Sequence, residues 1–274
     1  MSSISVIIPT WNRAAIIEKA IRSALNQTFP PLEVLVCDDG STDDTRAVVE
    51  AIGDSRILWI SGARGGRPAL PRNRGIRESK GEWLAFLDTD DEWLPNKLEV
   101  QLALAQKMGC KAVCSNAHKL VPGVGVVGSY LTLPGEKDIL TFNDLLHTNY
   151  VICSSAVLHA SVMRDAIGFS ENPELVIGED YALWLRVATQ TPFAFHKECL
   201  LMYLDDASHS IRSQSKSEWI QKKYVLGDFL FWARSLNTNN TDNIDNSYIQ
   251  AARVEYMKSF VRIYGGAMKV RFAK

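Results

Sequence analysis

Five short apolar runs recur through the first 115 residues, at 4–8 (ISVII), 33–37 (EVLVC), 56–60 (RILWI), 82–87 (EWLAFL) and 111–115 (KAVCS), with helix-forming segments between them. Strands alternating with helices in this way build βαβ units, and runs that are almost continuously apolar suit a parallel sheet covered on both faces. The intervening segments carry the matching pattern. Ile17, Ala20, Ile21, Ala24 and Leu25 within 14–27 lie at helical spacing, as do Leu98, Leu102, Leu104 and Ala105 within 95–108, after Pro95 at a first-turn position. The expected fold class is therefore α/β, a Rossmann-like, mostly parallel central sheet flanked by helices. Residues 116–215 extend it with a Gly/Val/Pro loop (121–135), a helix near 141–147, a strand at 150–158, a helix within 177–190 and a strand at 193–204. No linker composition separates these elements from what precedes, so 1–215 reads as one domain with halves 1–115 and 116–215. An Asn-rich stretch at 237–247 joins two helical segments, 216–236 and 247–264, in a C-terminal helical extension spanning 216–274.

Composition narrows the partners. With 30 Lys and Arg against 31 Asp and Glu, the net charge of −1 offers no basic field to nucleic acid. The five cysteines are odd in number and sit mostly in apolar runs, as buried free thiols do, which fits a reducing cytoplasm. Cys110 and Cys114 lack the second pair or histidine cluster that would complete a metal site. The first apolar run stops at Pro9, and no stretch reaches the ~18 apolar residues of a membrane span. Any membrane contact falls to the C-terminal part, where Trp219, Phe229, Phe231, Trp232 and the basic ending MKVRFAK leave core packing, homo-oligomerisation and peripheral membrane association open.

Ligands of open parallel sheets bind outside the carboxyl ends of the strands. Here the first run is followed by Pro9-Thr10-Trp11-Asn12-Arg13 and the second by Asp38-Asp39-Gly40-Ser41. The third is followed by a loop holding Arg64, Arg67, Arg72 and Arg74 among glycines, and the fourth by Asp88-Thr89-Asp90-Asp91. Ser41-x-x-Asp44 resembles a helix capping box. Asp39, beside a second acid, either accepts hydrogen bonds from a base edge or ribose or is simply solvated. The arginine loop has a composition able to neutralise a diphosphate, although it is neither a P-loop nor a dinucleotide-binding glycine turn. Asp88 and Asp90 leave a strand on the same side; a hard divalent cation would offset their repulsion, the alternative being solvation with Asp91 capping the next helix. Glu179-Asp180 either serve a helix dipole or, because Gly178 lets the backbone turn closely, direct one carboxylate into a cleft as a general base. His209 and Arg212 lie in a polar loop, 205–215.

The ordered set SVIIPTWNR, VLVCDDGSTDDT, RNRGI, FLDTDDEW and GEDYALWLR resembles family 2 glycosyltransferases of the GT-A fold over about residues 1–215. That resemblance implies a nucleotide-sugar donor, usually a UDP, GDP or dTDP sugar. The base would lie among Pro9, Thr10, Asn12, Arg13 and Asp39. Arg72 and Arg74 match the segment that contacts the nucleotide. Asp88, Thr89 and Asp90, the DXD motif, would meet the ribose and diphosphate, with Mn²⁺ or Mg²⁺ held by Asp90 and Asp91. Glu179-Asp180 match the acidic pair from which the family draws the catalytic base of an inverting transfer, with Asp180 favoured by its place before the helix. Arg212 and His209 match a loop that closes over the donor diphosphate, His209 toward the metal. The acceptor would be a glycan or a lipid-linked sugar in surface polysaccharide synthesis, and the setting cytoplasmic or membrane-peripheral. Two other readings stand beside this one: a nucleotide-sugar-binding module without catalysis, and a paired-carboxylate hydrolase. An aspartyl phosphatase is excluded because DTDD follows the fourth strand and Glu92 stands where its threonine belongs.

Overall fold

Strands apolar on both sides need cover on both sides, and the computed structural model, which describes residues 2–175, 177–206, 217–238 and 244–271, meets that demand with a three-layer arrangement. The first half alternates β1 (Ile4–Thr10), α1 (Ile17–Leu25), β2 (Glu33–Asp38), α2 (Thr45–Ala51), β3 (Ile57–Ile60), α3 (Ala69–Glu78), β4 (Trp83–Phe86), β5 (Glu92–Trp93), α4 (Lys97–Met108) and β6 (Ala112–Val121). The second half contains β7 (Gly125–Ser129), β8 (Ile139–Leu140), α5 (Phe142–His147), a 3-10 turn at Cys153–Ser155, β9 (Val157–His159), α6 (Ala160–Asp165), α7 (Glu179–Ala188), β10 (Phe193–Leu204), α8 (Glu218–Thr238) and α9 (Asn246–Arg271).

The sheet order is β3-β2-β1-β4-β9-β6-β10-β5, with β7 on β6 and β8 on β10. β3, β2, β1 and β4 run parallel, and so do β6 and β10. Between these two parallel groups lies β9, antiparallel to both neighbours. Because Thr10 pairs with Asp38 and Ile7 with Phe86, the loops leaving β1, β2 and β4 emerge along one rim. Ile8, Val34, Val36 and Leu98 fill the core on one face of the sheet; Ile7, Leu35, Phe86, Trp184 and Phe193 fill the other. Gly75 lets α3 lie close against the strands, since a Cβ there would come within 2.7 Å of both Cys37 Sγ and Ile7 Cγ2.

The C-terminal helices share this core. Val225, Phe229 and Trp232 of α8 are buried in the same cluster as Trp184 and Phe193, while Phe231 points outward and is exposed. Removing a buried aromatic ring of this kind typically costs ~3–5 kcal/mol, so α8 is held to the sheet domain by burial.

Three local expectations change. The run 150–158 is not one strand: the chain turns at Cys153–Ser155, where Ser154 Oγ accepts from Asp88 N and Trp93 Nε1 donates to Ser154 O, and only Val157–His159 pairs in the sheet. The 121–135 loop contains β7, which folds back on β6. The capping box forms at Thr141 and Asp144, at the start of α5, and not at Ser41 and Asp44. Residues 239–243 of the Asn-rich stretch lie outside the described residues.

Candidate active site

The loops leaving β1 and β2 are knitted together before either meets a ligand. Asn12 adopts a left-handed backbone (φ 50), which asparagine tolerates better than most residues. Its Oδ1 accepts from Thr42 N at 2.8 Å, its own N–H donates to Ser41 Oγ at 2.9 Å, and Arg13 N donates to Thr45 Oγ1 at 2.8 Å. Ser41 is thus spent on Asn12, which is why it caps no helix. Asp38 accepts from Gly40 N at 3.1 Å and Ser41 N at 3.0 Å, and the Arg74 guanidinium donates to the Asp38 carbonyl. Asn12 and Arg74, expected at the nucleotide, therefore brace the loops; neither lines the cleft they support.

Beside that brace opens a cleft of about 580 Å³, within the usual range for small-ligand sites. Pro9, Thr10, Arg13, Asp39, Arg72, Asp88, Thr89, Asp90, Asp91 and Asp180 all line it. At one end Asp39, with a side chain 3% exposed, accepts from Gly65 N at 2.9 Å and Gly66 N at 2.8 Å and pairs with Arg64. The Arg64 guanidinium lies 3.7 Å from the centroid of the Trp11 ring. Nearby, Thr10 Oγ1 is buried without a hydrogen-bond partner.

The arginine loop expected between β3 and β4 is largely helix: α3 begins at Ala69, so Arg72 and Arg74 stand on a rigid element. Arg72 is 4% exposed; its Nη2 donates to Asp88 Oδ1 at 2.6 Å and its Nη1 to Glu179 Oε1 at 2.7 Å. It ties the end of β4 to the start of α7. It does so in the wall of the cleft, where a nucleotide contact was expected of it. Asp91 does not cap a helix either, because β5 follows it and α4 starts only after Asn96. Its carboxylate is buried, accepts from Leu204 N at 3.0 Å, and is pushed well above the usual carboxylate range by burial, with repulsion from Asp90 and Asp88 adding to the shift.

Glu179 and Asp180 open α7, where N-terminal acids are favoured by the helix dipole. Gly178 precedes them in the left-handed region (φ 93), and a Cβ there would meet Val225 Cγ2 of α8 at 2.9 Å. The turn delivers two acids to different tasks. Glu179 is buried against Arg72, while Asp180 is partly exposed on the cleft and accepts from Tyr181 N at 2.7 Å. Sequence reasoning missed the Arg72–Glu179 pair, as well as Cys153, Tyr130, Tyr203 and Gln221 in the lining. Local pattern carries no signal for contacts so far apart in the chain. His209 and Arg212 lie outside the described residues.

The cleft is lined by Asp39, Asp88, Asp90, Asp91, Glu179, Asp180, Asp205 and Asp206 against Arg13, Arg64, Arg67 and Arg72. Among the described residues the lining thus holds both acids and arginines, groups able to meet a polar ligand. Among the described residues no three His, Cys, Asp or Glu side chains converge into a ready-made metal cage. The carboxylate oxygens of the Asp88–Asp91 turn are donors of the class that fits a hard divalent ion taking one or two carboxylates and completing its shell with ligand phosphates.

Residues 5–165 match the family model described as glycosyl transferase family 2. Two Escherichia coli relatives are each named UDP-Glc:alpha-D-GlcNAc-diphosphoundecaprenol beta-1,3-glucosyltransferase. WfgD is 31% identical over 228 residues, covering 83% of this chain and 86% of that protein. WfaP is 29% identical over 226 residues, covering 82% and 86%. The crystal structure of S. aureus TarS 1–349 in complex with UDP-GlcNAc superposes with a TM-score of 0.73 at 19% identity, covering 95% of this chain and 73% of that one, a likeness of fold.

Proposed function

The chain belongs to glycosyl transferase family 2, and from that premise we propose that it transfers a sugar, with inversion, from a UDP-sugar to a lipid-diphosphate-linked sugar acceptor in surface glycan assembly. The observation that carries this reading is the division of one cleft between Asp39 at one end, the Asp88–Asp91 turn beside it, and Asp180 on α7, with Glu179 withdrawn onto Arg72. The relatives' names support the donor and acceptor classes, and a β-linked product from an α-linked nucleotide sugar is the outcome of a single inverting displacement.

In this mechanism Asp39 accepts the N–H edge of the base, with Trp11 beneath it. Asp88, fixed by Arg72 and by Ser154, is held at the ribose and diphosphate, and Asp90 and Asp91 would hold Mn²⁺ or Mg²⁺. When bound, such an ion offsets the charge gathering on the leaving diphosphate. Asp180 takes the proton from the acceptor hydroxyl as that oxygen bonds to the anomeric carbon. The bond to the diphosphate oxygen breaks, and its electron pair leaves with the diphosphate. No enzyme-bound sugar forms.

No helix among the described residues is long and apolar enough to cross a membrane. The outward side of α9 nevertheless exposes Val254, Met257, Phe260 and Val261 with Arg253, Lys258 and Arg262, while its acid Glu255 is buried. An apolar stripe rimmed by cations is complementary to an anionic bilayer, so α9 is read as a peripheral contact that brings the cleft to a lipid-linked acceptor. Co-sedimentation with anionic vesicles, lost in a Val254→Ser, Met257→Ser, Val261→Ser triple variant, is expected. A concentration-dependent dimer without vesicle binding would assign the face to a second copy instead.

The central test is a panel of UDP-, GDP- and dTDP-sugars with Mn²⁺ and a GlcNAc-diphosphoprenol acceptor. Turnover of one UDP-sugar, with a β-linked product, is expected; a retained α-configuration, or no turnover of any donor, would sink the proposal.

A further inference from the structure

The place this reading assigns to the base is occupied by a side chain of the protein itself. The Arg64 guanidinium sits over Trp11, 3.7 Å from the ring centroid, and pairs with Asp39, so a planar, N–H-bearing group covers the aromatic ring and donates to the carboxylate that would otherwise receive a base. We propose that Arg64 is an internal surrogate for the nucleobase, and that donor binding is an exchange in which the base displaces the guanidinium from both Trp11 and Asp39. This rests on Asp39 being the base-recognising carboxylate.

Three features make the exchange a movement of one side chain. First, the backbone is pinned: Gly65 N and Gly66 N hold the two Asp39 oxygens at 2.9 and 2.8 Å, and Gly40 sits so close that a Cβ on it would lie 2.9 Å from Arg64 N. Second, a carboxylate has about four acceptor positions, so Asp39 can keep both glycine N–H groups while the position used by Arg64 passes to the base. Third, the arginine side chain is 42% exposed although its partner is 3% exposed, so the guanidinium is at the rim and swings into solvent without repacking the core. The arrangement also filters ligands. Only a flat group that stacks on Trp11 and presents an N–H to Asp39 replaces what Arg64 supplies; a ring with an acceptor at that edge meets the carboxylate oxygen with like polarity.

The consequence is a reduced apparent affinity, because only the fraction of molecules with Arg64 displaced can bind. Titration calorimetry with uridine, a neutral probe without phosphates, reads this directly. Arg64→Ala is expected to bind uridine about tenfold more tightly than the wild type. Arg64→Lys, which keeps the charge without the planar fork, should fall between them. Because salt screens a rim ion pair, wild-type affinity for uridine should rise with ionic strength, whereas that of Arg64→Ala should not. Uridine binding that is unchanged or weaker in Arg64→Ala overturns the proposal. A further Asp39→Ala change in that background separates the two readings. Loss of uridine binding there upholds Asp39 as the base site whatever Arg64 does; unimpaired binding removes the base assignment itself.

Discussion

Two buried arginines anchor α7, one at each end, and they serve opposite purposes. Near its C-terminal end Arg186, 6% exposed, pairs with Asp228 of α8, also 6% exposed; Asp228 accepts in addition from Ser170 Oγ, and Arg186 Nη1 donates to Ala166 O. That pair joins one nearly buried cation to one nearly buried anion. At the N-terminal end Arg72 holds two carboxylates, of which Asp88 is 32% exposed, and Asp90, Asp91 and Asp180 line the same cleft beyond it. Each arginine lies near an aromatic ring, Phe169 for Arg72 and Trp232 for Arg186, so packing does not tell them apart. Their partners do. Arg186 meets one carboxylate in the packing between two helices, whereas Arg72 meets two at the wall of a cleft.

The largest effect should come from the open end. Asp180→Asn is expected to keep donor binding and melting temperature while transfer falls by about 10²–10⁴, as rapid-quench product assays would show. Retention of full transfer would remove the proton acceptor from this site.

At the closed end, Asp228→Ala leaves Arg186 buried without its carboxylate and should destabilise the protein by about 3–5 kcal/mol in urea unfolding, with the remaining folded molecules turning over normally. Glu179→Gln should do the reverse, losing more turnover than stability, because Arg72 keeps Asp88. Equal losses of stability in the two variants would erase the distinction.

A smaller effect concerns Asp90. With UDP present, Mn²⁺ at ten times its dissociation constant should stabilise the wild type by about 1.4 kcal/mol, visible as a rise in melting temperature that Asp90→Ala lacks. A shift of equal size in the variant would move the ion elsewhere.

The smallest involves a third buried cation, Lys97, whose Nζ donates to Gln101 Oε1 at 2.6 Å and sits 4.2 Å from the Trp93 ring centroid. Burial holds its pKa well below the usual lysine value of 10.5. The unfolded chain therefore binds this proton more readily than the folded one, and between the two pKa values stability rises with pH. Lys97→Met should flatten that slope in unfolding experiments on the alkaline side, below the usual lysine pKa. An unaltered slope would mean that Lys97 stays charged in the fold.

What the sequence discloses here is what short range decides. Ile4–Thr10, Ile17–Leu25 and Phe193–Leu204 are legible because period and continuity of apolar residues are local properties. The acids after β2 and β4 and before α7 are legible as rim residues for the same reason. Hidden from it is who pairs with whom. Ser41 belongs to Asn12, Arg74 to the Asp38 carbonyl, and Arg72 to Glu179 across more than a hundred residues, pairings that no local pattern announces. The turn at Cys153–Ser155 was concealed in the same way, since its polar groups serve β4, β5 and α4 and not a ladder.

The contact between Gly178 and Val225 bears on how such proteins exchange parts. The segment matching the family model ends at Asp165, before the acid pair of α7, yet the turn that presents Asp180 is shaped against α8. A chimera that kept the sheet domain and borrowed C-terminal helices from a relative would thus import a new neighbour for residue 178. Swaps that ignore this seam would shift the turn that carries Asp180 while leaving the whole matched segment intact, a reason to move the two together.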